Sequence, residues 1–142
     1  MNTATTQIIT VKAIVNAPIE KVWKSWSLPE HITKWNAASE DWHTPKAEND
    51  LRTGGKFSSR MEAKDGSWGF DFEGVYDNVE EFKLIEYSLG DRKVKVEFND
   101  LGNSTEVIEA FDAEQENSVE MQQAGWQAIL DNFKRYTESL EI

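Results

Sequence analysis

Residues 117–140 read NSVEMQQAGWQAILDNFKRYTESL, and this stretch predicts one long amphipathic helix. Asn117 is a candidate cap, because its side chain can accept a hydrogen bond from the first helical turn while Glu120 reciprocates three residues later. The residues that recur at spacings of three and four form one stripe: Met121, Gly125, Trp126, Ile129, Leu130, Phe133, Thr137 and Leu140. A helix of about 22 residues is about 33 Å long, so this stripe needs a wide surface to lie against.

Most of the chain before this helix alternates between apolar and polar residues, which predicts β-strands. The first strand is expected over Gln7–Asn16, and short helices are expected from Pro18 and over Pro29–Trp35. Asn36–Asp50 is polar and irregular, so we interpret it as one long loop. Six further strands are expected between Leu51 and the long helix, which gives a seven-stranded antiparallel sheet.

Turn residues separate the predicted strands. Asp65-Gly66 is typical of a two-residue hairpin turn, and Asp77-Asn78, Gly90-Asp91 and Gly102-Asn103 indicate further turns. The two strands that Asp65-Gly66 joins should share one face, made of Phe57, Ser59, Met61, Ala63, Phe70, Phe72, Gly74 and Tyr76.

The last strand, over Thr105–Phe111, can face inward in either of two ways. One orientation buries Val107, Glu109 and Phe111, and the other buries the alternate residues, Glu106 among them. In the first orientation Glu109 is a carboxyl group against apolar walls with a raised pKa, and it could pair with a ligand or act as a general acid or base. In the second it is exposed to water.

These elements together predict an α+β fold. Seven strands spaced about 4.8 Å apart make a sheet roughly three times as wide as one helix, which is about 10 Å across. The sheet must therefore curl round the C-terminal helix to bury its inner face, in a helix-grip arrangement. A curled sheet of this kind readily leaves a cavity, and we expect a single domain over residues 1–142.

The composition excludes several classes of function. The formal net charge of −11 comes from 26 acidic and 15 basic residues, so nucleic acids and anionic membrane surfaces would be repelled. The chain has no cysteine, which excludes disulfides, thiolate catalysis and cysteine-ligated metals. Met1–Gln7 is polar and lacks a basic region followed by an apolar run, so we expect a cytoplasmic protein, and no cofactor is predicted.

The aromatic side chains of the predicted inner face either fill a solid core or line a ligand cavity. Buried tyrosine and tryptophan carry a polar atom that needs a partner, which a cavity edge or a ligand can supply. Trp42 and His43 are expected at the cavity mouth, as an aromatic wall and one polar anchor. The candidate ligand-binding residues are Trp35, Trp42, His43, Phe70, Phe72, Tyr76, Tyr87, Glu109, Trp126, Ile129 and Phe133.

Neither a catalytic site nor a metal site is predicted. Ser39, Asp41 and His43 are residue types of a catalytic triad, but residues this close in sequence rarely form one, and no oxyanion site is identifiable. His31 and His43 lack a clear third ligand, so zinc binding is not expected. Gly125 costs about 1 kcal/mol relative to alanine inside a helix, so either a close approach to a strand or an opening is expected there.

Short motifs in a consistent order over nearly the whole chain carry a family resemblance. They are Ala17-Pro18-Ile19-Glu20-Lys21-Val22-Trp23, Pro29-Glu30, Trp35, Gly54-Gly55-Lys56-Phe57, Asp65-Gly66, Gly74, Thr105 and Gly125-Trp126. In these the chain resembles the activator of Hsp90 ATPase homologue family of the START-like, or SRPBCC, superfamily. The resemblance implies a START-like, Bet v-type helix-grip fold. Residues 35–45 depart from the family pattern of Trp followed by Phe and a short glycine-containing link, which indicates a distinct subgroup.

The superfamily includes lipid and hormone binders, polyketide cyclases and chaperone-associated domains, so three functions are open. The leading prediction is binding of a small hydrophobic or aromatic molecule in a cavity between the sheet and the C-terminal helix. A cyclase or lyase needs polar groups such as Glu109, His43 and Tyr87 to converge on one substrate position. A co-chaperone-like module with a chaperone partner would show an exposed apolar patch and a filled interior. A monomer or a homodimer is expected.

Overall fold

The computed structural model describes residues 7–37 and 39–140, which form one antiparallel sheet of seven strands and three helices. The strands are β1 (Ile8–Val15), β2 (Trp42–Asn49), β3 (Lys56–Ala63), β4 (Gly69–Glu80), β5 (Leu84–Leu89), β6 (Arg92–Asp100) and β7 (Thr105–Asp112), and the helices are α1 (Ile19–Ser27), α2 (Pro29–Trp35) and α3 (Val119–Ser139). The order across the sheet is β1-β7-β6-β5-β4-β3-β2. The predicted α+β helix-grip fold is therefore confirmed, while the N-terminal segment before Gln7 lies outside the described residues.

The segment predicted as one long loop, Asn36–Asp50, contains the edge strand β2, so this prediction is wrong. Five strands, not the predicted six, lie between Leu51 and the long helix. β2 pairs with β3 along one side only, and its register shifts between His43 and Lys46, next to Pro45. An edge strand tolerates proline, because the missing N–H faces away from the ladder or sits at a bulge. In β2 the alternation of apolar and polar residues is weak, because an edge strand buries few of its side chains.

Two of the four predicted turns differ in the structure. Asp77-Asn78 lies inside β4 as an irregularity in its pairing with β5, and the chain turns later, at Phe82, which has a positive φ of 65°. Asp65-Gly66 lies in the β3–β4 hairpin, but the loop spans residues 64–68 and is longer than two residues. Gly90 and Gly102 adopt positive φ in their hairpins as expected.

The inner face of the sheet follows the predicted register. Phe57 lies opposite Gly74, Ser59 opposite Phe72 and Met61 opposite Phe70 on β3 and β4. On β7 every second residue from Thr105 onward is buried, which selects the orientation with Val107, Glu109 and Phe111 inward. The structure thus decides between the two predicted orientations of the last strand, because Glu109 is only 5% exposed.

Helix α3 begins one residue later than predicted, because Ser118 is its cap and accepts a hydrogen bond from the Met121 N–H. Met121 is 64% exposed and does not belong to the buried stripe. Gln122 is buried in its place, and its side chain holds the loop before the helix by bonding the Glu114 backbone. The remaining stripe is buried or half-buried, with Leu130, Phe133 and Thr137 fully covered.

The helix covers one half of the sheet. α3 packs against β1, and the indole of Trp126 stacks on Phe111 of β7 with centroids 3.9 Å apart and planes 13° apart. The paired short helices α1 and α2 close one end, where α2 packs against β2. Because one helix is narrower than seven strands, α3 leaves part of the inner face of β3–β5 uncovered.

Candidate functional site

A cavity of about 230 Å³ lies where the curled sheet and the helices do not meet. Its walls come from α1, α2, α3 and five strands, so distant parts of the chain meet in it. The lining residues are Trp26, Ile32, Trp35, Asn36, Glu48, Asn49, Phe57, Ser59, Met61, Phe70, Phe72, Tyr76, Tyr87, Glu109, Trp126 and Ile129. Glu48 and Phe70 are exposed, so the cavity reaches the surface beside the edge of the sheet.

Phe57 is the centre of the aromatic wall on the sheet side. Its ring lies 4.9 Å from the ring of Tyr87, 5.1 Å from that of Tyr76 and 5.9 Å from that of Phe72, measured between centroids. The Gly74 position makes this possible, since a Cβ there would lie 2.8 Å from the Phe57 ring. Three strands thus present one continuous apolar surface to the cavity.

The helical wall consists of α3 on one side and of α1 and α2 on the other. Trp126 is held flat by Phe111 and meets the edge of Phe72, with centroids 6.4 Å apart. Beside it Gly125 opens onto empty space, because no atom lies within 4 Å of where its Cβ would be. Close packing against a strand is therefore wrong for Gly125, and Gly125 does not line the cavity.

Trp26 and Trp35 form the wall nearest the short helices. Each ring lies about edge-on to Phe133, at centroid distances of 4.9 and 5.0 Å. The Trp35 indole N–H donates to the Ser25 backbone carbonyl at 2.8 Å, so the buried polar atom of this side chain is satisfied within the protein. Phe133 is fully buried behind both rings and supports the wall from outside the cavity.

Some of the polar side chains around the cavity are paired with other protein atoms. The Tyr76 hydroxyl donates to the Asn49 side-chain carbonyl, and the Asn49 amide donates to the Ser27 backbone carbonyl. Burial raises the pKa of Tyr76, so its hydroxyl stays protonated as a donor. This chain of bonds fixes the end of β2 to α1.

The carboxyl group of Glu109 differs from these groups. Its neighbours across β1 and β6 are Val11 and Val96, and none of the described residues gives it a hydrogen bond or an ion pair. Burial alone raises the pKa of Glu109 to about 8. Tyr87 lies in the same wall, where burial and the Glu109 charge both raise the pKa of its hydroxyl. A buried, unpartnered acid therefore faces an otherwise apolar space.

Eight of the predicted site residues line the cavity: Trp35, Phe70, Phe72, Tyr76, Tyr87, Glu109, Trp126 and Ile129. The structure does not bring Trp42, His43 or Phe133 to it. Trp42 packs against Trp68 and Phe70 at the end of the β3–β4 hairpin. His43 is half exposed and lies 3.8 Å from a Glu62 carboxylate oxygen. In both cases the unpredicted strand β2 sets where the side chain lies.

Several lining residues were not predicted as site residues. Phe57 was expected on the inner face, and its position opposite Gly74 was the signal that it reaches into the interior. Trp26 follows Trp23 at a helical spacing, but its place in the cavity wall, like that of Glu48 and Asn49, depends on how α1 and β2 pack together. Side chains of short helices and edge strands are assigned by tertiary contacts rather than by period.

The polar loop before β2 does not assemble a triad. The Ser39 hydroxyl donates to the Asp41 carboxylate, both are exposed, and His43 instead faces Glu62. His31 pairs through its Nδ1 with the Tyr136 hydroxyl. Over residues 7–37 and 39–140 no group of three potential ligands could hold a metal ion. Within the same ranges no helix is both long enough and apolar enough to cross a membrane.

Residues 16–138 match the family model described as activator of Hsp90 ATPase homolog 1-like protein. The chain belongs to this family. The activator of Hsp90 ATPase homolog 1-like fold accounts for the sheet, the two short helices and the long C-terminal helix described above. No curated protein matches the chain.

Several solved structures are similar to this chain over nearly their whole length. An activator of Hsp90 ATPase homolog 1-like protein from Aeromonas hydrophila is 47% identical, with 94% of this chain and 93% of that chain covered and a TM-score of 0.88. A protein from Cytophaga hutchinsonii is 56% identical, with 92% and 91% covered and a TM-score of 0.80. A protein from Chromobacterium violaceum, 21% identical with 94% and 98% covered, has the same fold at a TM-score of 0.83.

Proposed function

We propose that this protein binds a small hydrophobic or aromatic molecule in the cavity between its sheet and α3. The observation that carries the proposal is an unfilled space of about 230 Å³ whose walls are mainly aromatic and aliphatic. A dry apolar cavity of roughly 150 Å³ is enough to bind benzene. Drug-sized ligands need about 300 Å³ or more, so a ligand of one or two rings fits this space best.

The rigidity of the walls supports binding rather than collapse of the space. Phe111 and Phe133 hold the tryptophan rings in place from behind, and the Tyr76–Asn49 hydrogen bond ties two walls together. A preformed site avoids the entropic cost of ordering side chains when a ligand enters. We therefore expect the cavity to stay open when no ligand is bound.

The alternatives have less support from the same residues. A cyclase or lyase would need His43 to converge with Glu109 and Tyr87, and His43 lies outside the cavity. A co-chaperone-like module is favoured by one observation, the exposed apolar surface where Trp42, Trp68 and Phe70 meet, but it predicts a filled interior. A cytoplasmic location, a single domain and a monomeric or homodimeric state stay predictions.

Native mass spectrometry of gently purified protein tests the proposal directly. A retained small molecule appears as added mass that denatured protein lacks. In parallel, the neutral dye N-phenyl-1-naphthylamine is titrated into the protein and its fluorescence gain is followed. We expect saturable binding, since the two-ring naphthyl group of the dye fits the cavity while its phenyl ring lies at the cavity mouth.

A matched pair of variants on α3 locates the binding. Ile129→Trp fills the cavity and should weaken dye binding at least tenfold, whereas Met121→Trp adds the same ring at an exposed position and should leave it unchanged. Circular dichroism checks that both variants keep the fold. No retained mass together with equal dye binding by the two variants would overturn the proposal.

A further inference from the structure

The cavity holds one buried acid with nothing to pair with. Glu109 is 5% exposed, lines the cavity and receives no hydrogen bond or ion pair from any described residue. Buried polar groups in proteins are nearly always partnered, and a buried charge without a partner is strongly destabilising. The carboxyl group of Glu109 borders the cavity, so a molecule held there can supply the partner that the chain does not.

The cavity has acidic but no basic lining residues. The acidic ones are Glu48 and Glu109, and no lysine, arginine or histidine is among the described residues that line it. Glu48 lies at the exposed rim, where Lys46 pairs with it at 3.2 Å. The whole chain carries a formal charge of −11, which raises the local concentration of cations and lowers that of anions.

The elements packed against Glu109 bring no cation to it. β1 and β6 present Val11 and Val96, and β5 presents Tyr87. Arg92 acts on Tyr87 by its charge, but its guanidinium group donates to the Asp112 backbone carbonyl and does not line the cavity. A ligand with a carboxylate or phosphate group would therefore meet acids without a compensating positive charge.

We propose that the ligand is a primary or secondary amine with a one- or two-ring aromatic body, and that its ammonium group pairs with the Glu109 carboxylate inside the aromatic walls. The inference rests on the proposed function. A charge-assisted hydrogen bond is about twice as strong as a neutral one. The rings of Tyr87 and Trp126 line the same cavity, and aromatic faces attract a cation by their quadrupole.

Pairing with an ammonium group changes the protonation of Glu109. Without a ligand, burial keeps this carboxyl group protonated at neutral pH, because its pKa is raised to about 8. The other titratable groups that line the cavity are Tyr76, Tyr87 and Glu48; both tyrosines have raised pKa values and stay neutral. Binding of a cation at pH 7 should therefore release about one proton from Glu109.

The test compares three probes with the same ring system and different charge: 1-naphthylmethylamine, 1-naphthylmethanol and 1-naphthylacetate. Isothermal titration calorimetry at pH 7, in two buffers of different ionisation enthalpy, gives the affinity and the number of protons released. We expect the wild type to bind the amine at least tenfold more tightly than the alcohol and the acid least. Proton release should accompany the amine alone.

Glu109→Gln keeps the size and the neutral form of the side chain, and it should weaken amine binding at least tenfold and abolish proton release. Its affinity for the alcohol should change less than threefold. Glu106→Gln is the matched control, because it removes a carboxylate from the opposite face of the same strand, where Glu106 bonds Asn99. Its affinities should equal those of the wild type.

The outcomes separate the two proposals. If none of the three probes binds the wild type, the cavity is not a site for molecules of this kind, and the proposed function fails together with this inference. If the alcohol or the acid binds as tightly as the amine, or if Glu109→Gln keeps the amine affinity, the amine inference is wrong and apolar binding stands. If the amine inference is wrong, the ligand can be a neutral carbonyl compound, to which the protonated Glu109 carboxyl group would donate a hydrogen bond.

Discussion

The two halves of the sheet carry similar apolar residues but are packed differently. Under α3, the inner residues of β1, β6 and β7 are almost completely covered, with Val96, Val107 and Phe111 at 0–1% exposure. On β3 and β4, the inner residues Phe57 and Phe72 are only partly buried and face the cavity. The difference comes from the width of a single helix, which covers some strands of a seven-stranded sheet and leaves the others uncovered.

The comparison separates residues that stabilise the fold from residues that are free to contact a ligand. In the covered half, each side chain already has protein neighbours on all sides, so its removal leaves a hole. In the open half, side chains such as Phe57 and Phe72 border the cavity and are only partly buried, so their removal changes the packing less. Glu109 lies on β7 in the covered half, but its carboxyl group faces the cavity in the open half.

The largest expected effect is a contrast between two phenylalanines. Phe133→Ala should lower the free energy of unfolding by about 4 kcal/mol, because Phe133 is fully buried against Trp26 and Trp35. Phe72→Ala should lower it by about 2 kcal/mol or less, because its ring borders the cavity. Urea unfolding of the two variants measures both values. Equal losses would show that the open half is packed as tightly as the covered half.

A pH-dependent effect is expected at the boundary between the halves. The pKa of Glu109 is about 8 in the folded protein against an ordinary value of 4.5, so the folded state holds one proton more than the unfolded state between these values. Its contribution to stability is therefore lost as pH rises from about 5 to 8. Relative to the wild type, Glu109→Gln should gain on the order of 3 kcal/mol over that range.

Urea unfolding at pH 5, 7 and 9 checks this gain, with Glu106→Gln as the control on the outer face of β7. The difference in unfolding free energy between Glu109→Gln and wild type should grow with pH, and that of the control should change little. A difference that stays constant from pH 5 to 9 would mean that Glu109 reaches water or a hidden partner.

The smallest expected effect comes from alanine substitution of two glycines, Gly125 on α3 and Gly74 on β4. Gly125→Ala should raise the free energy of unfolding by about 0.5–1 kcal/mol, because alanine favours the helix and the new Cβ meets no atom within 4 Å. Gly74→Ala should instead destabilise the protein, because its Cβ would lie 2.4 Å from the Ser88 carbonyl oxygen. Thermal unfolding of both variants gives the comparison. Destabilisation by Gly125→Ala would indicate that the opening beside α3 is closed.

Periodicity predicted the elements whose two faces differ strongly in polarity. The alternation of β3 and β4 gave their shared face and register, and the spacing of three and four gave α3 to within a residue or two. It failed for β2, an edge strand with proline and few apolar residues, which pairs on one side only. The irregular pairing at Asp77-Asn78 was read as a turn, because the residues that favour turns also favour bulges.

The site residues divide in the same way. Those on regular strands and on α3, such as Tyr87 and Ile129, could be placed from period alone. Trp42 and His43 were misplaced because their strand was read as a loop, and Trp26 was missed because its position depends on helix packing. Phe133 was placed on the correct face of α3, but only the packed structure shows Trp26 and Trp35 between it and the cavity.

The sequence by itself determined the antiparallel sheet, the long helix, the buried face of most regular elements and the absence of thiol chemistry, because these follow from residue type and local period. Only the tertiary structure decided whether Glu109 points inward and whether the interior is full. Both depend on volumes summed over distant segments: the pairing of β7 with β1 and β6, and the width of α3 against the sheet. Local sequence limits a strand residue to one of two faces, but the pairing of distant segments decides which face is buried and how much space lies in front of it.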